Sequence, residues 1–140
     1  MHSFSFCEMS IVDYERVVAL WQRTPGMGLS DADSRVGIHA FLERNPGMSF
    51  VCVAGEQLVG TILCGHDGRR GYIYHLAVDE AFRKQGIGRL LTRQSLDALR
   101  RIGIKKCHLF VYRDNEEAEL FYDHMRWLKR TTLDIYSIDV

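Results

Sequence analysis

The chain predicts an α/β fold of the α+β kind, a mixed and mostly antiparallel sheet with helices on both faces. Three apolar segments, at 49–54, 57–66 and 72–78, are separated by short turn-forming stretches, which indicates neighbouring antiparallel strands. A helical pattern over 86–102 then separates the third segment from another apolar one at 105–112. A strand, a helix and a strand in that order predict a parallel pair.

The N-terminal part predicts one strand and two helices. Residues 3–8 alternate apolar and polar side chains, as a half-buried strand does. Apolar residues then recur at helical spacing over 11–21, after a Ser10 and Asp13 pair that is close to a capping box. A second helix is expected over 32–44, where an Asn-Pro-Gly sequence ends it.

The C-terminal part predicts a short helix and two closing strands. Gly103 is placed to end the helix at 86–102 in the left-handed conformation. Asn115 is the expected N-cap of the short helix, which has acidic residues in its first turn. Closing strands are expected at 127–129 and 133–138, so the predicted order is β-α-α-β-β-β-α-β-α-β-β.

Length and composition indicate one ordinary globular domain spanning 1–140. A net charge of zero and a pI of about 7.0 argue against a nucleic-acid or membrane partner. No apolar run approaches the roughly 20 residues of a membrane span, and the start lacks the pattern of a secretory signal. The four cysteines lack metal-ligand spacing and are expected to be buried free thiols, which favours a cytoplasmic location.

The segment 83–89, Arg-Lys-Gln-Gly-Ile-Gly-Arg, predicts an anion site between the strand at 72–78 and the helix that follows. Freed N–H groups of a first helical turn converge on one point, where the helix dipole adds positive charge. Gly86 and Gly88 allow a phosphate to approach the backbone, and three basic side chains surround them. The spacing fits neither a dinucleotide fingerprint nor a P-loop. A phosphorylated ligand is therefore expected here.

Two motifs together carry a family resemblance. Segment 83–89 fits Arg/Gln-x-x-Gly-x-Gly/Ala, and 115–122 fits Asn-x-x-Ala-x-x-Phe-Tyr, with one helix and one strand between them. The pair resembles the signatures of the GNAT superfamily of N-acetyltransferases, and the predicted element order is similar to the GNAT fold over nearly the whole chain. The resemblance implies that the fourth and fifth strands, which are parallel, splay around an acetyl-CoA cofactor.

The same resemblance implies an activity and a set of partners. An acetyl group would pass from acetyl-CoA to a primary amine of a small molecule or a peptide, by direct attack in a ternary complex. Members of the family often dimerise, so a homodimer is among the expected partners. Two other interpretations stay open, a non-catalytic acyl-CoA-binding or sensor module and a structural domain with a vestigial loop.

The resemblance also implies which residues bind the cofactor. Main-chain groups of the fourth strand would bind the pantetheine arm, and a strand bulge would free the N–H of Leu76 for the thioester carbonyl. Asn115 would contact the cofactor in addition to its role as N-cap. The cofactor-binding positions implied in this way are Leu76, Ala77, Val78, Arg83, Lys84, Gln85, Gly86, Ile87, Gly88, Arg89 and Asn115.

Two residues are candidates for proton transfer. By resemblance, Tyr122 would protonate the leaving thiolate, since a phenol of pKa about 10 can donate to a thiolate whose parent thiol is near 8.5. Its spacing from Ala118 fits an ordinary core stripe equally well. His75 lies beside the cofactor-binding positions and is a candidate general base. A lone strand histidine is more often only packed and hydrogen-bonded, and His108 is a weaker candidate.

The chain departs from the family at two positions. Phe110 stands where relatives that acetylate ribosomal proteins have a glutamate base, which leaves water-mediated deprotonation by a distant acid such as Glu43 or Glu80 open. Arg126 replaces the usual glycine after the short helix, so that helix is expected to end without a left-handed residue. The acceptor pocket is expected near the first helices, with these candidates: Trp21, Asp31, Asp33, Tyr74 and Tyr112. Asp31 and Asp33 are equally suited to capping the second helix.

Overall fold

Five strands form one sheet in which every strand lies beside its neighbours in sequence. The computed structural model describes residues 3–140. The strands are β1 (Phe4–Glu8), β2 (Phe50–Ala54), β3 (Gln57–His66), β4 (Gly71–Val78) and β5 (Cys107–Leu109). Pairs β1–β2, β2–β3 and β3–β4 are antiparallel and β4–β5 is parallel, which confirms the predicted mixed sheet.

Four helices accompany the sheet: α1 (Tyr14–Gln22), α2 (Arg35–Arg44), α3 (Ile87–Arg101) and α4 (Glu116–His124). Short 3-10 turns occupy Ile11–Asp13, Asp31–Asp33 and Glu80–Phe82. Helix α2 begins later than predicted because the Ser34 side chain accepts the N–H of Gly37, so Ser34 is the N-cap. The capping role considered for Asp31 and Asp33 on this helix is therefore wrong.

Helices α1 and α3 cover opposite faces of the sheet. At Gly60 a side chain would meet Ile87 of α3 at 2.9 Å, so this position faces α3. The next residue, Thr61, accepts a hydrogen bond from Trp21 of α1. Successive residues of a strand point to opposite faces. The predicted placement of helices on both faces is confirmed.

Strands β4 and β5 pair only over a short length. The paired residues run from Gly71 to Ile73 on β4 and from Cys107 to Leu109 on β5. Strand β5 is therefore shorter than the predicted 105–112, and its ladder with β4 ends at Ile73, shortly before β4 loses its regular register with β3. The two parallel strands separate there, as the predicted splay requires.

The chain forms two compact units, the first ending at Phe110 and the second being Val111–Val140. The second unit contains α4 and, within 111–140, no strand. The closing strands predicted at 127–129 and 133–138 are therefore wrong. Apolar residues do alternate there, but Leu133, Ile135 and Ile138 are exposed, and a strand without a neighbour leaves its backbone groups unpaired. That 1–140 forms a single domain stays a prediction.

Helix α4 ends with a left-handed residue, against expectation. Arg126 has a φ of 67° and its N–H donates to Asp123 O at 3.0 Å. The N–H of Trp127 reaches Tyr122 O at 3.0 Å. These two bonds are those of a Schellman motif, in which the position taken by Arg126 usually belongs to glycine. The hydrogen bonds of the helix end therefore set the left-handed conformation of Arg126, which an arginine adopts at some cost in free energy.

Arg126→Gly is expected to stabilise the protein. A left-handed conformation costs an L-residue about 1–2 kcal/mol, of which glycine's larger unfolded-state entropy returns a part, so we expect a gain of about 0.5–1 kcal/mol. The midpoint of urea unfolding measures it. Arg130→Gly is the control, since Arg130 is also exposed but does not have a positive φ. Equal or lower stability of Arg126→Gly relative to the wild type would contradict the argument.

Candidate active site

A bulge interrupts β4 beside the middle of β3. The register shifts there, so His75 and Leu76 both lie opposite Ile62. His75 has a φ of 48°, and its carbonyl oxygen accepts a hydrogen bond from Thr61 Oγ1 at 2.9 Å. Bulges re-aim side chains and leave a residue outside the ladder, often beside active sites. The sequence-based expectation of a bulge at this place is confirmed, while the role assigned to the N–H of Leu76 stays a prediction.

The His75 side chain contacts a carboxylate that lies 42 residues away in sequence. Its Nε2 is 2.7 Å from Oδ1 of Asp33, in the turn between α1 and α2. The two side chains are only 15% and 12% exposed. The other carboxylate oxygen of Asp33 accepts the N–H of Ser30 at 3.0 Å, which fixes the acid. A carboxylate and an imidazole thus form a largely enclosed pair at the bulge.

Trp21 supports this pair from α1. Its ring lies 4.6 Å from the His75 ring, centroid to centroid. Its Nε1–H donates to Thr61 Oγ1 at 2.9 Å, and Thr61 in turn donates to the His75 carbonyl. Trp21 is 1% exposed, so it cannot line an acceptor pocket. The expectation that it does so is wrong, because the indole is needed to fill the core between α1 and the sheet.

Of the other acceptor candidates, Asp33 forms the pair with His75. Asp31 is exposed, and Tyr74 is 40% exposed beside the bulge. Tyr112 is exposed in the second unit. Of the two distant acids considered as bases, Glu43 pairs with His39 at 2.7 Å, and Glu80 is exposed.

The turn after β4 is anchored by Asp79. Its N–H donates to Val59 O, and its carboxylate accepts from the Arg23 guanidinium at 2.8 Å and from the N–H of Ala81 at 3.0 Å. The Arg23 hydrogen bond, with help from the N–H of Ala81, holds the pKa of Asp79 below its usual value although partial burial opposes the shift. Asp79 therefore ties the end of α1 to the start of the glycine-bearing turn.

The first turn of α3 presents uncapped N–H groups. Gly86 is the N-cap, has a φ of 84° and offers no capping side chain. No acidic residue lies in the first turn, whereas Lys84 and Arg89 are exposed there. The orphan N–H groups and the dipole of a helix start favour an anion. The structure thus forms the helix start that the sequence predicts at 83–89.

The other predicted cofactor positions lie next to this helix start. Leu76 and Val78 are half-buried and Ala77 is buried. The carbonyl oxygen of Val78 accepts from Nε of Arg83 at 3.1 Å. The side chain of Arg83 therefore links the end of β4 to the turn, which brings the two groups of predicted cofactor residues in the first unit together.

Aromatic rings meet at Phe110, the position where the resemblance implies a glutamate in relatives that acetylate ribosomal proteins. Phe110 stacks with Tyr72 at 6.3 Å and also approaches Tyr74 at 6.4 Å. His108 contacts the Tyr72 ring at 5.8 Å. Partial burial raises the pKa of the Tyr74 phenol, so it stays neutral. This surface is apolar and aromatic, and Phe110 supplies no proton acceptor.

The second unit contains the other two predicted site residues. Asn115 accepts the N–H of Ala118 at 3.1 Å, which confirms its role as N-cap of α4. The Tyr122 ring makes edge contacts with Phe121 at 5.2 Å and with Trp127 at 5.7 Å. The cofactor role of Asn115 and the catalytic role of Tyr122 stay predictions.

The cysteines are free. Burial raises the pKa of Cys52 to about 11 and those of Cys64 and Cys107 to about 12. Cys7 is exposed on the edge strand β1, so the expectation of burial fails for this thiol. Within residues 3–140 no helix is long and apolar enough to cross a membrane.

Comparison with known proteins identifies a family for most of the chain. The model of the acetyltransferase (GNAT) family matches residues 14–126. An acetyltransferase of Pectobacterium atrosepticum is 30% identical over 115 residues, which cover 82% of this chain and 81% of the relative. N-alpha-acetyltransferase 30 of Schizosaccharomyces pombe is 31% identical over 116 residues, which cover 79% of this chain and 77% of that protein.

A solved structure shares the fold. The PaiA N-acetyltransferase of Thermoplasma acidophilum, crystallised with coenzyme A, superposes with a TM-score of 0.78 at 18% identity, covering 88% of both chains. The family match extends over the bulged strand, the uncapped start of α3 and the Asn115-to-Tyr122 motif. The chain belongs to the GNAT family of acetyltransferases and is an acyltransferase.

Proposed function

We propose that this protein is an N-acetyltransferase that moves an acetyl group from acetyl-CoA to a primary amine of a small molecule or a peptide. The observation that carries the proposal is the bulged strand β4, which leads directly into the uncapped, glycine-started helix α3. In a member of the GNAT family this combination is suited to a thioester and its pyrophosphate.

The cofactor roles follow the two parts of this arrangement. Main-chain groups of Gln85 to Arg89 bind the pyrophosphate, with Lys84 and Arg89 adding positive charge. Main-chain groups of Leu76, Ala77 and Val78 bind the pantetheine arm, and Asn115 contacts the cofactor farther along. Arg83 already holds the Val78 carbonyl, so it acts by shaping the turn as well as by its charge.

The acceptor is an amine that must be neutral when it attacks. The amine nitrogen bonds to the thioester carbonyl carbon, the carbon–sulfur bond breaks, and the electron pair leaves with sulfur. Tyr122 donates its proton to the thiolate and regains one from solvent. The amine proton passes to a base on the protein. The products are an amide and coenzyme A with its thiol restored.

Direct attack is favoured over an acyl-enzyme. An acyl-enzyme on cysteine needs a thiolate beside the cofactor, and burial holds the pKa values of Cys52, Cys64 and Cys107 at about 11 to 12. The exposed Cys7 lies on β1, which β2 and β3 separate from β4. The fission yeast relative is named an N-alpha-acetyltransferase, which makes peptide N-termini one class of acceptor to test here. The aromatic surface around Phe110 favours acceptors with an apolar group beside the amine.

The direct experiment supplies acetyl-CoA with a panel of small primary amines and short peptides. Release of free thiol and a mass gain of one acetyl group on the acceptor are the expected results. Varying both substrates should give intersecting reciprocal plots, as a ternary complex requires, whereas parallel plots would indicate an acyl-enzyme. Acetyl-CoA binding without transfer to any acceptor would contradict the proposal and favour a sensor module.

Tyr122→Phe is expected to lower kcat by about 100-fold, with no change in the dissociation constant of acetyl-CoA. Phenylalanine retains the ring that packs against Phe121 and Trp127 and removes the hydroxyl that is the proposed proton donor. Steady-state turnover at saturating substrates measures the effect. Tyr136→Phe, at a site 94% exposed, is the control. Full turnover by Tyr122→Phe would remove the phenol from the mechanism.

A further inference from the structure

We infer that Asp33 is the positioning residue of a His75–Asp33 pair, which holds the imidazole so that its Nδ1 accepts the proton of the attacking amine. The inference rests on the proposed N-acetyltransferase function. It supplies the base for which the chain has no glutamate, since Phe110 occupies that place among aromatic rings.

The hydrogen bond to Asp33 sets the tautomer of His75. A carboxylate only accepts hydrogen bonds, so at 2.7 Å from Asp33 Oδ1 the Nε2 of His75 must bear a proton. In the neutral imidazole the other nitrogen then carries a lone pair. The tautomer of a histidine is set by the bond that one ring nitrogen makes, and here that bond leaves Nδ1 as the base.

The other ring nitrogen of His75, Nδ1, must be available to the acceptor amine. Gln94 Oε1 is the one buried side-chain nitrogen or oxygen without a hydrogen-bond partner in the part of the chain that the structure describes. Nδ1 of His75 makes no hydrogen bond to any residue there, and the His75 side chain retains 15% of its surface exposed. One ring nitrogen thus binds the carboxylate, and the other makes no hydrogen bond to the residues that the structure describes.

Surrounding contacts hold both side chains of the His75–Asp33 pair in place. Three features restrict the His75 side chain. Its backbone is left-handed, Thr61 donates to its carbonyl oxygen, and the Trp21 ring packs against its imidazole. Asp33 is fixed by the N–H of Ser30 and by Tyr14, whose hydroxyl donates to the Asp33 carbonyl oxygen at 2.8 Å. Preorganised groups of this kind are what general-base catalysis needs.

Two phenols adjoin the pair, Tyr14 of α1 through its hydrogen bond to Asp33 and Tyr74 on β4. From the turn between α1 and α2, Asp33 is the group that forms an ion pair with the imidazole within residues 3–140. Trp21 from α1 and Thr61 from β3 are uncharged, and Tyr74 is the titratable neighbour on β4 itself. When Nδ1 takes the amine proton, the imidazolium is next to the Asp33 carboxylate, which stabilises it. The proton then leaves to solvent.

The kinetic test compares His75→Gln, Asp33→Asn and the double variant. His75→Gln is expected to lower kcat by about 100-fold or more near neutral pH. Asp33→Asn should lower it by a part of that factor, and the double variant should match His75→Gln, since residues that act as a unit are not additive. Acetyl-CoA affinity should be unchanged in all three. Asp97→Asn, which removes an exposed carboxylate elsewhere, is the control.

The pH profile separates a base from a structural role. At neutral pH the acceptor is largely an ammonium ion, whose proton the base must take before attack, so the deficit of both variants should shrink as pH rises and the acceptor arrives neutral. A deficit that is constant with pH, or additive losses in the double variant, would overturn the inference. Asp33→Glu should recover part of the rate because it retains a carboxylate.

Imidazole nitrogen NMR tests the pair without any turnover. The wild type should show His75 protonated at Nε2, assigned by its loss in His75→Gln, and Asp33→Asn should shift it toward a mixture of tautomers. A wild-type Nδ1–H tautomer would overturn the inference whatever the activity. If the expected tautomer is found but the protein acetylates no amine, the His75–Asp33 pairing stands and the proposed function is contradicted.

Discussion

Gly86→Glu is expected to abolish measurable acetyl-CoA binding, with a loss of at least about 100-fold in affinity, or about 2.8 kcal/mol. The added carboxylate would lie at the uncapped start of α3, where the pyrophosphate needs the same N–H groups. It would also repel the phosphates. A Cβ at Gly86 meets nothing within 4 Å, so the loss would not arise from a clash in the core.

The matched control for this variant is Gly68→Glu. Gly68 has a φ of 89° against 84° at Gly86, and a Cβ there also meets nothing within 4 Å. Both variants therefore carry the same backbone strain and the same new charge, and they differ only in whether a helix begins at the site. Titration calorimetry of both with acetyl-CoA measures the difference. Equal affinities for the two variants would show that the helix start does not bind the cofactor.

Trp21→Ala is expected to destabilise the fold by about 3–5 kcal/mol. The indole is fully buried, fills the space between α1 and the sheet, and donates the hydrogen bond that Thr61 accepts. A loss of this size is a large part of the roughly 5–15 kcal/mol by which domains are stable. Urea unfolding followed by far-UV circular dichroism measures it.

Trp21→Phe separates the two contributions of this side chain. Phenylalanine keeps much of the buried ring and removes the N–H, so we expect a smaller cost, of which about 1–3 kcal/mol comes from the lost hydrogen-bond partner of Thr61. A cost for Trp21→Ala no larger than that of Trp21→Phe would mean that packing at this position contributes little, against the burial in the structure.

Local patterns were sufficient for the elements to which we assign cofactor binding by proposal. The strand at Gly71–Val78, the helix start at Gly86 and the N-cap at Asn115 all depend on neighbouring residues, and the structure has each of them. The alternation at 133–138 failed as a predictor because a strand also needs a partner, and alternation alone does not supply one. Arg126 shows the same limit, since the hydrogen bonds of the helix end outweigh the preference of the residue type.

The partner of His75 was not predictable from the sequence. Asp33 stood out only as an acceptor-pocket candidate and a possible helix cap, and it lies 42 positions before His75, with α2, β2 and β3 between them. The pairing appears once the turn between α1 and α2 folds over the bulge of β4. A histidine inside an apolar strand was the available signal, and it indicated a buried polar group in need of a partner without naming one.

The left-handed backbone at position 75 limits which side chains evolution or a designer can place there. Valine, isoleucine and threonine, the usual residues of a central strand, are strongly disfavoured at a positive φ, while asparagine, aspartate and histidine tolerate it best. Of these three, histidine is the residue that ordinarily exchanges a proton near neutral pH, and aspartate would also face the Asp33 carboxylate with a like charge. The backbone conformation at position 75 therefore restricts which residue can act as a base there. A substitution that removes the histidine also changes how well the residue tolerates the positive φ.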